Sequence, residues 1–296
     1  MKKVIVLIGQ TAVGKTKMSI NIAKSYNGQI INGDALQVYK ELNIVTDKIK
    51  EDEKQGVVHH LLDIVSISDN YDVEKYQKNI RNVIDKVSDE GYLPIVVGGT
   101  GLYIKAALYD YNFEKQDISN QEFEKKYQDK SNQELYDMLA KIDYQASCNI
   151  HPNNRRRVLR ALSIYESTGK TKSDIIDSQL HKPIYDVLFI GLDNDKDYLN
   201  QRIDERIEQM FRQGVVEEIK NNPTNSNASK AIGYQEINEY LKGNISLDQA
   251  KELMKTHTHQ YAKRQRTWFK NQFDVNWVKN DEFAFENIKK IIDNWL

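Results

Sequence analysis

The chain has 296 residues, and its 42 Lys and Arg against 43 Asp and Glu leave a formal net charge of −1 with histidine neutral. Because 40% of the residues are hydrophobic, the chain can bury a substantial core, which excludes a disordered protein and predicts one large domain or two. The single cysteine, Cys148, excludes an internal disulfide and a cysteine-based metal cluster, and we expect it to be a small buried residue in a protein of a reducing compartment.

The first predicted element is a strand at Val4–Ile8, a short run rich in β-branched residues. It ends in Gly9 and a polar loop rather than in an export-signal cleavage site. No apolar stretch in the sequence approaches the ~20 residues that a membrane span needs. We therefore expect a cytoplasmic protein with no membrane partner.

A phosphate-binding loop follows this strand directly. The residues Gly9-Gln10-Thr11-Ala12-Val13-Gly14-Lys15-Thr16 complete the pattern GxxxxGK[ST] and precede a predicted helix at 16–26. The glycines let backbone N–H groups surround phosphate oxygens, and the start of the helix adds its positive end. Lys15 supplies a point charge and Thr16 a hydroxyl for Mg²⁺. The loop predicts binding of a di- or triphosphate.

The remaining strand and helix patterns indicate an α/β fold. Further short, poorly alternating apolar runs lie at 29–32, 94–97 and 186–190, with shorter candidates at 60–64 and 275–278, and helical patterns lie at 73–90 and 283–296. Such runs are typical of strands buried on both faces of a parallel sheet. Because they alternate with helices, the sequence predicts a three-layer α/β sandwich.

An acidic residue follows the second predicted strand, where Asn32-Gly33-Asp34 occurs. Most phosphate-loop enzymes hold Mg²⁺ with an acid on a second strand, but the strand at 94–97 ends in Gly98-Gly99-Thr100-Gly101. The carboxyl ends of parallel strands form the ligand-binding edge, so Asp34 is a candidate site residue. The alternative is that Asp34 only caps a helix.

The strand pattern disappears from about residue 113 to residue 182, where the sequence becomes charged and helical. This predicts a helical insertion in a core formed by 1–112 and 183–296. The segment 151–172 contains six cations and one acid, and the segment 255–270 contains five cations and no acid. Both segments are either attractive to a polyanion or the solvated faces of helices.

Seven motifs occur in order between residues 9 and 269: GQTAVGKT, GDALQVYKELNIVTDK, HHLLDI, GGTGLYI, RVLRAL, KAIGYQEI and QYAKRQRTWF. Together they resemble the tRNA dimethylallyltransferases, also called tRNA isopentenyltransferases. The resemblance implies transfer of a dimethylallyl group from dimethylallyl diphosphate to N6 of the adenosine 3′ of the anticodon, with Mg²⁺. It also implies a P-loop NTPase-like, nucleoside-kinase-like core with a helical insertion.

The resemblance also implies roles for individual residues. Residues 9–16 and Arg206 would hold the diphosphate leaving group, although an exposed helix arginine is the alternative interpretation of Arg206. Asp34 would be the general base, and Thr100 would orient the amine. The amide of Gln37 suits an adenine edge.

The expected partners are dimethylallyl diphosphate and the anticodon stem-loop of tRNA, bound by a monomer. The target base would leave its stack, as bases modified by enzymes generally do. Trp268 and Phe269 belong either to a stacking surface or to the core. The residues expected to contact tRNA are Asp34, Ala35, Leu36, Gln37, Thr100, Arg156, Arg157, Val158, Leu159, Arg160, Lys263, Arg264 and Arg266.

The chain departs from the family pattern at three places. Gln10 stands where many members have Pro, Val45 where Gly is usual, and Asp47-Lys48-Ile49 where Ala-Lys-Pro is common. Two alternative functions are a small-molecule P-loop kinase that consumes ATP and an RNA-binding module with a degenerate nucleotide site. The kinase leaves the basic segments and GGTGLY unexplained, and the intact candidate site disfavours the binding module.

Overall fold

The computed structural model of the protein describes residues 1–111, 113, 120–178 and 182–296. The chain divides into two compact units, an α/β unit formed by Met1–Tyr109 and Pro183–Leu296 and a helical unit formed by Asp110–Lys182. Parts of the insertion expected at 113–182, namely 114–119 and 179–181, lie outside the described residues. No helix within the described residues is long and apolar enough to cross a membrane.

The α/β unit is built on one parallel sheet of six strands within the described residues. The strands are β1 (Lys3–Gly9), β2 (Gly28–Asn32), β3 (His59–His60), β4 (Leu93–Gly98), β5 (Asp186–Asp193) and β6 (Asn276–Lys279), in the order β3-β2-β4-β1-β5-β6. The helices of this unit are α1 (Lys15–Ser25), α2 (Val73–Asp89), α3 (Gly101–Leu108), α9 (Lys196–Arg212), α10 (Val215–Asn221), α11 (Tyr234–Leu241), α12 (Leu247–Gln272) and α13 (Ala284–Trp295). The helical unit contains α4 (Asn120–Lys126), α5 (Asn132–Ile142), α6 (Tyr144–Cys148), α7 (Arg155–Thr168) and α8 (Lys172–Ser178).

Strand β1 shows why the sheet is covered on both faces. Val4, Val6 and Ile8 are fully buried in one cluster with side chains of α2, α3, α9 and α12. The alternate residues Ile5 and Leu7 are fully buried in a second cluster with side chains of α1 and α13. Because successive side chains of a strand point to opposite faces, an apolar run without alternation needs a helical layer on each side. The predicted three-layer sandwich is confirmed.

One local prediction was right only in part, and another was wrong. The strand expected at 60–64 is present as β3 but covers only His59–His60, because Leu61 and Asp63 adopt left-handed φ angles of 61° and 56° that end the pairing. Cys148 is exposed rather than buried. It ends α6, a helix of five residues that buries Ala146 and Ser147 instead.

Candidate active site

The predicted phosphate loop connects β1 to α1 through a backbone that turns sharply. Gly9 and Gly14 have φ angles of 152° and 98°, and Ala12 has a φ angle of 64°. A Cβ atom at Gly9 would lie 2.5 Å from the Leu192 carbonyl oxygen, so this position requires glycine for space as well as for conformation. The local sequence therefore forms the loop at the carboxyl end of the sheet.

Lys15 folds back over this loop. Its Nζ atom donates hydrogen bonds to the carbonyl oxygens of Gly9 at 3.0 Å and Gln10 at 2.7 Å. Burial, together with the positive charge of Arg206, lowers the pKa of Lys15 to about 8. The ammonium group is still mainly protonated at pH 7, held where an anion in the loop can reach it.

Arg206 of α9 reaches the same loop. Its Nη2 atom donates to the Thr11 hydroxyl, and its Nη1 atom donates to the Asp47 carboxylate at 3.0 Å. The side chain is only 23% exposed, and its buried Nε atom has no hydrogen-bond partner among the described residues. Arg206 is therefore not a solvated helix arginine. Asp47, a departure from the family pattern, adds a carboxylate to this side of the loop.

The ends of β2 and β4 bring Asp34 and Thr100 together. A Cβ atom at Gly98 would lie 2.2 Å from the backbone of Gly33, and the Gly33 amide donates to the Val97 carbonyl at 2.7 Å. This close approach lets the Thr100 hydroxyl accept a hydrogen bond from the backbone amide of Ala35 at 3.1 Å. The two predicted site residues thus lie on adjoining strand ends.

Asp34 is an acceptor in a partly desolvated position. Its Oδ1 atom accepts a hydrogen bond from the Leu36 amide at 2.8 Å. Burial raises the pKa of Asp34, while the Leu36 amide and the charge of Lys15 oppose that rise. A carboxylate with a raised pKa is a stronger base than an exposed one, which suits proton abstraction near neutral pH.

The residues near Thr16 offer oxygen donors for a cation. Thr16 is exposed and lines a cavity with Asn32, Gln37 and Asp47. Gln37 donates through Nε2 to the Thr46 carbonyl at 3.1 Å, which leaves its amide oxygen as the remaining acceptor. No group of three or more His, Cys, Asp or Glu side chains within the described residues forms a metal site. Mg²⁺ commonly uses one or two protein ligands together with substrate phosphates and water, so these residues fit that ion only with a phosphate ligand present.

Helix α12 contributes Tyr261 and Gln265, which belong to the QYAKRQRTWF motif but have no predicted role at the phosphate loop. Gln265 Oε1 accepts from the Thr11 amide at 2.9 Å, and Gln265 Nε2 donates to the Gly99 carbonyl at 3.0 Å. Tyr261 donates to the same carbonyl at 3.3 Å. The available signal was the spacing of Tyr261, Gln265 and Trp268, which places them on one helix face.

The packing of α12 explains the glycines of the GGTG motif. A Cβ atom at Gly99 would lie 2.1 Å from Gln265 Nε2, and one at Gly101 would lie 2.2 Å from the Trp268 ring. Trp268 is half-buried and Phe269 is fully buried. The interpretation of these aromatic residues as core residues is therefore supported, and the motif serves close helix packing.

Three cations of α12, Lys263, Arg264 and Arg266, were predicted to contact tRNA. Lys263 and Arg264 are exposed, and Arg264 lies over the Tyr261 ring with 6.0 Å to its centroid. Arg266 donates to the Asp193 carboxylate through Nη2 at 2.5 Å and through Nε at 3.0 Å, although it is 46% exposed. Two of the three cations predicted for tRNA contact thus extend into solvent, and the third is held by an acid.

In the helical unit, the predicted tRNA-contacting segment lies on α7. Arg156, Arg157 and Arg160 are exposed. Val158 is 0% exposed and Leu159 is 4% exposed, and both pack in the core of this unit. The two apolar side chains therefore support the helix, and the arginines are the exposed members of this segment.

Comparison with known proteins adds independent findings. The sequence profile of the IPP transferase family matches residues 37–272. A tRNA dimethylallyltransferase of Anoxybacillus flavithermus is 46% identical over 96% of this chain and 93% of its own length, and one of Bacillus subtilis is 42% identical over 93% and 90%. The tRNA isopentenylpyrophosphate transferase of Bacillus halodurans superposes with a TM-score of 0.76 at 36% identity, covering 100% of this chain and 97% of its own. A eukaryotic dimethylallyltransferase acting on tRNA superposes with a TM-score of 0.84 at 31% identity, covering 99% and 79%.

Proposed function

Because the chain belongs to the IPP transferase family, we propose that it transfers the dimethylallyl group of dimethylallyl diphosphate to N6 of the adenosine 3′ of the anticodon in tRNA. The products are N6-isopentenyladenosine and diphosphate. The observation that carries this proposal is a half-buried carboxylate, Asp34, on the same edge of the sheet as the phosphate loop, where its charge interacts with that of Lys15. Such a site can hold a diphosphate leaving group beside a group that accepts a proton.

On the donor side, residues 9–16 bind the diphosphate through backbone N–H groups and the start of α1. Negative charge grows on the diphosphate as its bond to carbon breaks, and Lys15 and Arg206 stabilise that charge. The unpartnered Nε atom of Arg206 supports this role, since a buried N–H group without a partner is rare. Mg²⁺, when bound, would be held by Thr16 together with diphosphate oxygens and would offset the same charge.

On the acceptor side, the N6 amine attacks C1 of the dimethylallyl group. The new C–N bond forms as the C–O bond to the diphosphate breaks, and the electron pair of that bond leaves with the diphosphate. The Asp34 carboxylate takes the proton that N6 loses, and Thr100 orients the amine. The backbone amide of Ala35 donates to the Thr100 hydroxyl, and that of Leu36 donates to the Asp34 carboxylate, so these two residues hold the reacting side chains in place. The amide oxygen of Gln37 is available to the adenine edge.

The exposed cations would hold the anticodon stem-loop through its phosphates. Arg156, Arg157 and Arg160 of α7 and Lys263 and Arg264 of α12 provide this charge. The target adenosine would flip out of the loop to reach Asp34. We expect a monomer that acts in the cytoplasm, where tRNA is available.

The test is to incubate the protein with unmodified tRNA, Mg²⁺ and dimethylallyl diphosphate, and in parallel with ATP instead of the prenyl donor. Nucleoside mass spectrometry of the digested tRNA should find an adenosine heavier by one five-carbon prenyl unit in the first tube alone. A tRNA transcript with guanosine at the target position is the matched control and should stay unmodified. Unmodified adenosine in both tubes, with tRNA-independent ATP turnover, would instead support the kinase.

A further inference from the structure

We propose that Gln265 is a positioning residue of the transfer reaction, whose buried amide sets the distance between the phosphate loop and the turn that carries Thr100. This inference rests on the proposed function. Gln265 lies on the buried side of α12, whose exposed side carries cations.

The geometry of Gln265 is that of a bridge between two loops. The residue is only 5% exposed, and both ends of its amide are hydrogen-bonded. One end binds the backbone of Thr11 in the phosphate loop, and the other end binds the backbone of Gly99 beside Thr100. Because both partners are backbone atoms, the bridge fixes the course of each loop rather than the rotamer of one side chain.

Each anchor of the bridge is next to a group of the proposed reaction. The side chain of Thr11 accepts a hydrogen bond from Arg206 on the donor side. Gly99 precedes Thr100, whose hydroxyl holds the loop of Asp34 on the acceptor side. Reacting atoms must approach to about 3–3.5 Å with aligned orbitals, and a misplacement of about 1 Å lowers the rate about 100-fold. A bridge that joins the two sides therefore controls the rate more than the affinity for either substrate.

The two ends of the bridge respond differently to its removal. Tyr261 also donates to the Gly99 carbonyl, at 3.3 Å, so that carbonyl keeps a partner when Gln265 is replaced. The Thr11 amide, by contrast, loses the acceptor that Gln265 provides. We expect the phosphate loop to shift as a unit relative to the Thr100 turn, while the polar groups within each loop keep their own arrangement and so still bind diphosphate and tRNA.

Two variants and one control test this inference. Gln265→Met keeps the length of the side chain and removes both hydrogen bonds. Gln265→Glu keeps the acceptor for Thr11 but faces the Gly99 carbonyl with an oxygen atom. The control is Gln209→Met, the same change at an exposed position of α9. The measurements are the single-turnover rate at saturating tRNA and dimethylallyl diphosphate, the Kd values for tRNA and inorganic diphosphate, and the thermal melt.

We expect both Gln265 variants to lower the single-turnover rate about 10- to 100-fold. Their Kd values should change less than about threefold, and the control should match the unchanged protein. A rate within about twofold of that protein, or a loss that follows weaker binding, would overturn the inference. So would the failure of both variants to melt cooperatively, because Gln265 would then serve the fold. If the unchanged protein transfers no prenyl group, the proposed function itself fails.

Discussion

Replacing Asp34 by asparagine separates the chemical step from substrate binding. Asparagine has the same shape, and its Oδ1 atom can still accept the hydrogen bond that the Leu36 amide donates to Asp34 at 2.8 Å. The other carboxylate oxygen becomes an NH₂ group, which cannot accept the proton that N6 of adenosine loses. The local fold and the tRNA contacts should therefore persist while the base is lost.

The size of the effect follows from the proposed role of Asp34. General base catalysis commonly contributes about 10²- to 10⁴-fold to a rate, so we expect the single-turnover rate of Asp34→Asn to fall by that factor. The Kd for tRNA should change less than about threefold. Because burial raises the pKa of Asp34, the rate of the unchanged protein should fall as the pH drops through that raised pKa. The residual rate of Asp34→Asn should lack this dependence.

Thermal stability provides a second readout, and Asp34→Asn should preserve or raise it although the same change lowers the rate. The pKa of Asp34 is higher in the folded than in the unfolded state, so the folded state binds the proton more tightly. Ionised Asp34 therefore destabilises the fold above its folded pKa, and this penalty disappears as the pH falls below the unfolded value. Asparagine carries no charge at any pH. We expect Asp34→Asn to melt at the same or a higher temperature than the unchanged protein at pH 7.

The assay combines single-turnover prenyl transfer, filter binding of tRNA and a thermal melt. Asp72→Asn is the matched control, because exposed Asp72 also accepts a backbone hydrogen bond, from the Lys75 amide at 2.9 Å at the start of α2. It should leave the rate unchanged. A rate for Asp34→Asn within about tenfold of the unchanged protein would refute the general base. A large loss of tRNA affinity with the rate preserved would reassign Asp34 to binding.

Three further predictions follow from the site and its packing. Lys15→Met should abolish binding of inorganic diphosphate in calorimetry without lowering the melting temperature at pH 7. The pKa of Lys15 is about 8 in the folded state against 10.5 ordinarily, so charged Lys15 destabilises the fold below about pH 8, and this penalty disappears as the pH rises from 8 to 10.5. In the unchanged protein, diphosphate binding should weaken above about pH 8. Arg157→Glu with Arg160→Glu should raise the KM for tRNA and flatten its salt dependence while leaving the KM for the prenyl donor unchanged, and an unchanged salt slope would assign these arginines to the fold. Gly101→Ala should lower the free energy of unfolding in urea by about 1–3 kcal/mol, because its Cβ atom would lie 2.2 Å from the Trp268 ring; an unchanged midpoint would show that this ring can move away.

The sequence by itself determined the features that depend on neighbouring residues. The phosphate loop is specified by eight consecutive positions and by the strand and helix on either side of it. The apolar runs specified strands buried on both faces, because only such strands lack alternation. The position of Asp34 after one strand and of Thr100 after another also placed both at the carboxyl edge of a parallel sheet.

Only the tertiary structure decided which distant side chains complete the site. Arg206 contacts Thr11 across 195 positions of sequence, and Gln265 contacts Gly99 across 166. A sequence motif identifies residue types, but the contact that each side chain makes depends on how α9 and α12 pack against the sheet. The exposed face of α12 carries charged residues, whereas Gln265 on its buried face joins the two loops. The family resemblance named Arg206, but it did not give the partners of either side chain, because long-range packing selects those partners.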